Sequence, residues 1–218
     1  MTNKETITLL GNNHISTNVK TPLRADAFEK SDDEKIKNIT HHFKNIMHEI
    51  GLDLTDDSLS GTPYRVAKMY VKELFYGLNP VNKPKLSTFE NKYGYKKMLV
   101  EQNINIDSAC EHHFLPIVGF AHVAYIPKDK VIGLSKINRL VDYYARRPQV
   151  QERLTNQIAE ELKEILQTED VAVIIDAKHL CVSSRGIKDE TSSTVTSYFG
   201  GKFNTQEKIV ELQNTLKY

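Results

Sequence analysis

The 218-residue sequence predicts an α+β fold built on an antiparallel sheet. Hydrophobic periodicity is helical in the first third of the chain, alternates around residue 100, and then repeats the same change from helical to alternating. The resulting order is helix, helix, strand, strand, helix, helix, strand, strand, helix. Strand pairs that bracket a helix pair favour hairpins, whereas a doubly wound parallel sheet needs a helical crossover after each strand.

Residues 1–30 are polar, show no clear period and read as a mobile arm. The first firm element is "SDDEKIKNITHHFKNIMHEIG". Ser31 and Glu34 have capping-box spacing, Ile36, Ile39, Phe43, Ile46 and Ile50 form an apolar stripe, and Gly51 can end the helix. His41 and His42, adjacent and therefore at different azimuths, read with His48 as surface histidines. In "TPYRVAKMYVKELFYG", Thr62 is a plausible cap, Pro63 suits the first helical turn, and Val66, Met69, Leu74 and Phe75 mark the buried side. Arg65 and Lys68 share the opposite face, as a solvated basic edge or a phosphate contact.

"LNPVNKPKLSTF" reads as a linker. In "MLVEQNINID", Val100, Gln102, Ile104 and Ile106 alternate with polar residues, giving a half-buried strand, and "IVGFAHVAYIP" is the next, with His122 read as structural. Ser135 can cap the following helix, and Pro148 can start another with a stripe of Val150, Leu154, Ile158, Leu162 and Ile165. "DVAVIIDAKHLCVSSRG" and "TSSTVTSYFGG" resume strand character, and "TQEKIVELQNTL" closes as an amphipathic helix.

Composition narrows the classes. With 29 basic and 28 acidic residues the formal charge is +1, which provides no whole-chain field for nucleic acid or an anionic membrane. The N-terminus lacks the apolar core of a signal peptide, and no run approaches the ~20 apolar residues of a membrane helix, so a cytoplasmic protein without a membrane partner is expected. Hydrophobic residues at 39% and charged ones at 26% fit an ordinary globular protein that needs no disulfide between its two cysteines.

Those cysteines sit among histidines. In "SACEHHFLPIVG", Cys110 and His113 have two residues between them, so one turn can bring both to a single ion. Cys181, in "KHLCVSSR", lies two residues after His179; in a regular strand the two share a face, and Arg185 falls on it too. Thiolate and imidazole suit zinc. Three protein ligands with His112 and His179 nearby describe an open, catalytic site; a fourth ligand from either histidine describes a closed, structural one. Lys136 and Arg139 at a helix start, with Arg185, favour a polyphosphate near the metal. Glu152, beside Gln151 at another helix start, is either a favourable first-turn acid or an acceptor for a guanine edge.

The segments "TPYRVAKMYVKELF", "CEHHFLPIVGFAHVAYIP", "VIGLSKINRLV", "RRPQVQERLT" and "HLCVSSRGIKDETSST" resemble the signature blocks of the GTP cyclohydrolase I family, in the family's order, from about residue 31 to about residue 203. The resemblance implies hydrolysis and rearrangement of GTP to 7,8-dihydroneopterin triphosphate and formate, the entry step of pterin biosynthesis. It implies that Cys110, His113 and Cys181 hold Zn2+ and that His112 and His179 are the catalytic imidazoles. It further implies that Glu152, helped by Gln151, reads guanine, that Ser135 approaches the ribose, and that Arg65, Lys68, Lys136, Arg139 and Arg185 hold the triphosphate. The implied fold is the tunnelling fold, a four-stranded antiparallel sheet backed by two helices. It would occupy residues 96–218 after a helical extension at 31–95, in a homodecamer with active sites at subunit interfaces. A zinc-stabilised nucleic-acid module is the rival class, and it lacks the second ligand pair that a closed finger requires.

Overall fold

The computed structural model describes residues 18–216. It is a mixed α+β protein. The order is α1 (Asp32–Glu49), α2 (Asp57–Ser60), α3 (Thr62–Met69), β1 (Thr88–Glu90), β2 (Leu99–Cys110), β3 (Pro116–Tyr125), β4 (Lys130–Ile132), α4 (Leu134–Ala145), β5 (Pro148–Gln149), α5 (Gln151–Leu166), β6 (Val171–His179), α6 (Leu180–Ser183), β7 (Thr194–Phe199) and α7 (Gln206–Leu216). A π-helical turn, Tyr70–Leu74, continues α3.

The main sheet runs β5-β2-β3-β6-β7, with β2, β3, β6 and β7 mutually antiparallel and the two-residue β5 added parallel to β2. The expected strand pairs are therefore hairpin-like neighbours, with β3 beside β6 joining the two halves. Helices α4 and α5 cover one face. Ile137, Leu140, Leu154, Ile158 and Leu162 have no exposed surface and pack with Ile106, Val123, Tyr125, Val173 and Ile175 of the strands. A smaller cluster on the other face seats Phe203 and the α7 residues Leu212 and Leu216 on Ala124 and Ala172.

The strand pattern departs from the sequence expectation at one point. Between Glu101 and Ile104 the β2–β3 register slips by one residue, with Asn103 at φ 59° in the left-handed region. This is a bulge, and it reverses the in–out parity of the strand. Leu99 thus packs with Ile104 and Ile106, Val100 turns to the α7 side, and Gln102 is exposed. His122, buried in β3, accepts the Asn103 amide at 3.3 Å through Nδ1, in keeping with a structural role at the bulge. Burial pushes its pKa below the ordinary imidazole value.

Helix termini also differ in detail. Ser31 and Glu34 form the full capping box, and Gly51 follows α1 at φ 91°. Thr62 is the first residue of α3 and not its cap, which is Gly61; its hydroxyl instead accepts from Arg65 at 2.8 Å. Gly133, not Ser135, caps α4. Pro148 belongs to β5, so α5 begins at Gln151. The segment read as a linker runs into β1, whose Thr88 and Phe89 close it and which pairs with β4. On α1, Ile36 and Met47 are buried while Ile46 and Ile50 are exposed, and His41, His42 and His48 face solvent.

The extension is tied to the sheet domain through the end of α4. Tyr76 donates to Asp142, and the Gly77 amide donates to the Arg146 carbonyl at 3.0 Å. A Cβ on Gly77 would lie 2.0 Å from the Tyr143 carbonyl oxygen, so only glycine permits this approach. Arg146 continues the link, reaching Asp142 at 3.0 Å and Asp107 of β2 at 2.7 Å. Of the polar arm, residues 1–17 lie outside the described residues; Asn18 and Val19 offer their carbonyls to Arg153 and Gln157 of α5.

Candidate metal centre and active site

The site forms where β2 and β6 end and α5 begins. β2 stops at Cys110, and the chain reverses through one helical turn: the Phe114 amide donates to the Cys110 carbonyl at 2.8 Å, and the Cys110 amide to the Leu115 carbonyl at 2.8 Å. Residues three apart in such a turn face the same way, which brings His113 round to Cys110. Phe114 closes the turn at φ 54°, unusual for a residue with a side chain, and its ring packs on Phe75 with centroids 5.2 Å apart. The metal-ligand turn is thereby braced against the helical extension.

Cys181 arrives from the other half of the sheet. The strand geometry expected for residues 179–185 is corrected here: β6 ends at His179, and Leu180–Ser183 form a single helical turn, α6. β6 lies beside β3, with His179 opposite Ile117, so its end emerges next to the β2–β3 turn. One ligand atom from each of Cys110, His113 and Cys181 then lies within 4.8 Å of the others. His113 Nδ1 is 3.9 Å from Cys110 Sγ, and His112 Nδ1 is 3.7 Å from the same sulfur. Cys110 is buried, Cys181 partly so, and His113 exposed, which leaves the cluster open on one side.

The donor set fits a zinc ion: two soft thiols and an imidazole, on two separate elements, at the mutual separation that ligands of one small cation adopt. Burial and the neighbouring Cys110 thiol push the Cys181 thiol above its ordinary pKa. A divalent cation held by these residues would reverse that effect by stabilising both thiolates. Arg185 Nη1 lies 2.7 Å from His113 Nε2, with the Nδ1 edge of that ring toward Cys110; ligation of an ion through Nδ1 would put the ring proton on Nε2 and so require the Arg185 contact to open.

His179 stands at the end of β6, with Nε2 2.8 Å from Gln151 Oε1. Burial lowers its pKa, and the nearby Glu152 charge acts in the opposite direction. Gln151 and Glu152 occupy the first turn of α5, the former buried and the latter exposed. The Gln151 amide nitrogen is already taken up by protein, lying 3.1 Å from Ile175 O, 2.8 Å from Thr194 O and 3.1 Å from Thr196 Oγ1. Its side chain therefore points into the protein, while Glu152 remains available to a ligand.

The remaining sequence candidates are basic or small polar groups. Ser135, Lys136 and Arg139 sit on the first turns of α4, with Ser135 and Arg139 exposed. Arg65 is exposed on α3, with its guanidinium donating to Ser58 O at 3.1 Å and to Thr62 Oγ1; Lys68 is exposed one turn on. Among the described residues, no hydrogen bond or ion pair joins Arg65, Lys68, Lys136 or Arg139 to the metal cluster. Sequence reasoning missed Glu111 and Arg153. Arg153 Nη1 and Nη2 meet the Glu111 carboxylate at 2.5 and 3.3 Å, with the arginine side chain only 3% exposed. This pair clamps the metal turn to the helix that carries Gln151 and Glu152. A buried arginine beside a glutamate is visible in the sequence only as two unpaired charges 42 positions apart.

Comparison with known sequences decides the family. The sequence model of GTP cyclohydrolase I matches residues 39–216. The chain belongs to the GTP cyclohydrolase I family. It is 60% identical to the GTP cyclohydrolase 1 of Flavobacterium johnsoniae over 99% of this chain and 96% of that protein. The GTP cyclohydrolase 1 of Aeromonas salmonicida is 53% identical over 86% of this chain and 85% of its own, and that of Escherichia coli O1:K1 is 50% identical over 88% and 87%. The GTP cyclohydrolase I match contains the metal turn, α4, α5, β6 and α6, that is, every element of the site.

Proposed function

We propose that the chain is a zinc-dependent GTP cyclohydrolase I, converting GTP and water to 7,8-dihydroneopterin triphosphate and formate at the head of pterin biosynthesis. The observation that carries this reading is the convergence of Cys110, His113 and Cys181, with His112 against Cys110 and His179 two residues before Cys181, in a chain of this family. Cys110, His113 and Cys181 hold the ion. When bound, zinc supplies Lewis-acid activation of water near neutral pH, which suits a reaction that hydrolyses a purine at C8.

The protein groups divide the remaining work. Glu152, an exposed carboxylate with two acceptor oxygens, takes the paired N–H donors of a guanine edge. Lys136 and Arg139, on the first turns of α4, and Arg185, beside His113, hold the triphosphate, where guanidinium forks and a helix N-terminus favour phosphate oxygens. Ser135 approaches the ribose. His112 protonates the opening imidazole ring, and His179 moves the protons of the Amadori-type rearrangement that follows. Arg65 and Lys68 lie on the extension and serve the phosphate site of a neighbouring subunit. That assignment goes with a tunnelling-fold homodecamer, residues 31–95 acting as the extension and 96–218 as the catalytic domain.

One feature supports an assembly. Phe120 and Val195, 49% and 62% exposed, lie on strands of the main sheet where α7 does not cover it. No helix among the described residues is long and apolar enough to cross a membrane.

The test is Cys181→Ser, measured for zinc content and for GTP turnover on folded protein. Loss of stoichiometric zinc and a fall in turnover of at least about a hundredfold are expected. Turnover at the wild-type rate by a zinc-free variant contradicts the reading.

A further inference from the structure

We propose that Gln151 is a positioning residue that fixes the tautomer of His179, holding the proton on Nε2 and presenting Nδ1 as the atom that exchanges protons with substrate. This rests on the assignment of His179 to proton transfer, and it moves Gln151 from guanine recognition to the support of the imidazole.

The hydrogen-bond directions leave one solution. Ile175 O and Thr194 O are main-chain carbonyls, which only accept, so the Gln151 atom 3.1 and 2.8 Å from them is the amide nitrogen. The flipped amide would set oxygen against both carbonyls in a side chain that is 1% exposed, at the cost of a buried unsatisfied contact. The neighbouring hydroxyls agree. Thr155 Oγ1 donates to Gln151 O at 2.9 Å, so its contact of 2.7 Å with Thr196 Oγ1 is donated by Thr196. Thr196 Oγ1 is then free to accept from Gln151 Nε2 at 3.1 Å. The two hydroxyl protons each have one place, and the two Nε2 protons are shared among three acceptors, so nitrogen and not oxygen occupies that position. Oε1 is left facing His179 Nε2 at 2.8 Å, and because Oε1 only accepts, Nε2 carries hydrogen.

The secondary structure makes the arrangement rigid. Ile175 and His179 lie four apart on β6 and share a face, Thr194 and Thr196 are on β7, and Gln151 and Thr155 are one turn apart on α5. Three elements thus hold a single imidazole orientation, the usual way a reactive histidine is prepared for one proton route. Gln151 and the proposed guanine reader Glu152 are also successive residues of one helical turn, so the base and the proton carrier are indexed to the same backbone.

The test uses the full-length, zinc-loaded chain labelled with 15N-histidine, studied by magic-angle-spinning NMR at alkaline pH, where the ring is neutral. The His179 signals are those lost in His179→Asn. A protonated, pyrrole-type Nε2 and a bare, pyridine-type Nδ1 are expected. An Nδ1-protonated ring overturns the proposal without any variant of Gln151 being needed. Gln151→Met keeps the volume but removes the acceptor; kcat should fall about tenfold to a hundredfold while KM for GTP changes by less than about threefold, and the Nε2 signature should be lost. A raised KM with unchanged kcat would return Gln151 to guanine recognition. Absence of any GTP turnover by the wild type would remove the enzymatic reading, while the ring spectrum would still decide the tautomer.

Discussion

At the scale of single residues, the clamp between Arg153 and Glu111 is the most informative pair outside the proposed ligands. The arginine is almost fully buried, so removing it strands a carboxylate within the metal turn. Taking one partner from such a pair costs far more than removing both, because the survivor keeps its desolvation penalty. Arg153→Leu should therefore destabilise the protein by about 3 kcal/mol, seen as a lower urea midpoint, and should weaken zinc retention. Adding Glu111→Leu should recover much of the stability, and a double-mutant cycle measures the coupling. The candidate metal cluster was legible because thiols are scarce: with two cysteines, one beside His112 and His113 and the other beside His179, few metal sites can be drawn. By pattern alone Gln151 was legible only as a polar residue at a helix start; the family resemblance cast it as a helper in guanine recognition, and neither pointed to its contact with His179. Its contacts come from β6 and β7, strands that lie more than twenty positions further along the chain.

At the scale of elements, Gly77 sets how closely the extension approaches α4. A methyl group there meets two backbone carbonyls, of Tyr143 and Arg146, neither of which can turn aside. Gly77→Ala should cost about 2 kcal/mol through overpacking, measurable by thermal unfolding, and should raise proteolytic sensitivity in residues 70–90 first. Strong periodicity accounts for what the sequence disclosed about elements. The α5 stripe of Leu154, Ile158 and Leu162 is wholly buried, and the capping box of α1 is complete. The errors share one cause, the local exceptions that tertiary contacts impose on a regular pattern. A bulge at Asn103 reversed the faces of β2, a strand addition absorbed Pro148, and one turn of helix replaced the strand expected at Cys181. A bulge adds no hydrophobic residue and a four-residue helix has too few to show a period, so neither leaves a pattern to read.

At the scale of the whole molecule, the site is a meeting of parts distant in the chain. The metal turn joins β2 to β3, Cys181 follows β6, the base-side residues open α5, and the extension braces the turn through Phe75 and Phe114. The architecture therefore ties the turn that carries Cys110 and His113 to the packing of Phe75 on Phe114. Lys136 and Arg139, proposed for the phosphates, and Glu152, proposed for the base, open two different helices, α4 and α5. The direct measurement is incubation of the purified, zinc-loaded chain with GTP, with and without a strong zinc chelator, assaying formate together with the fluorescent pterin formed on oxidation. Production of both, abolished by the chelator and restored by zinc, is the predicted result. Neither product from zinc-loaded, assembled protein, or equal production from protein stripped of metal, would contradict a zinc-dependent GTP cyclohydrolase.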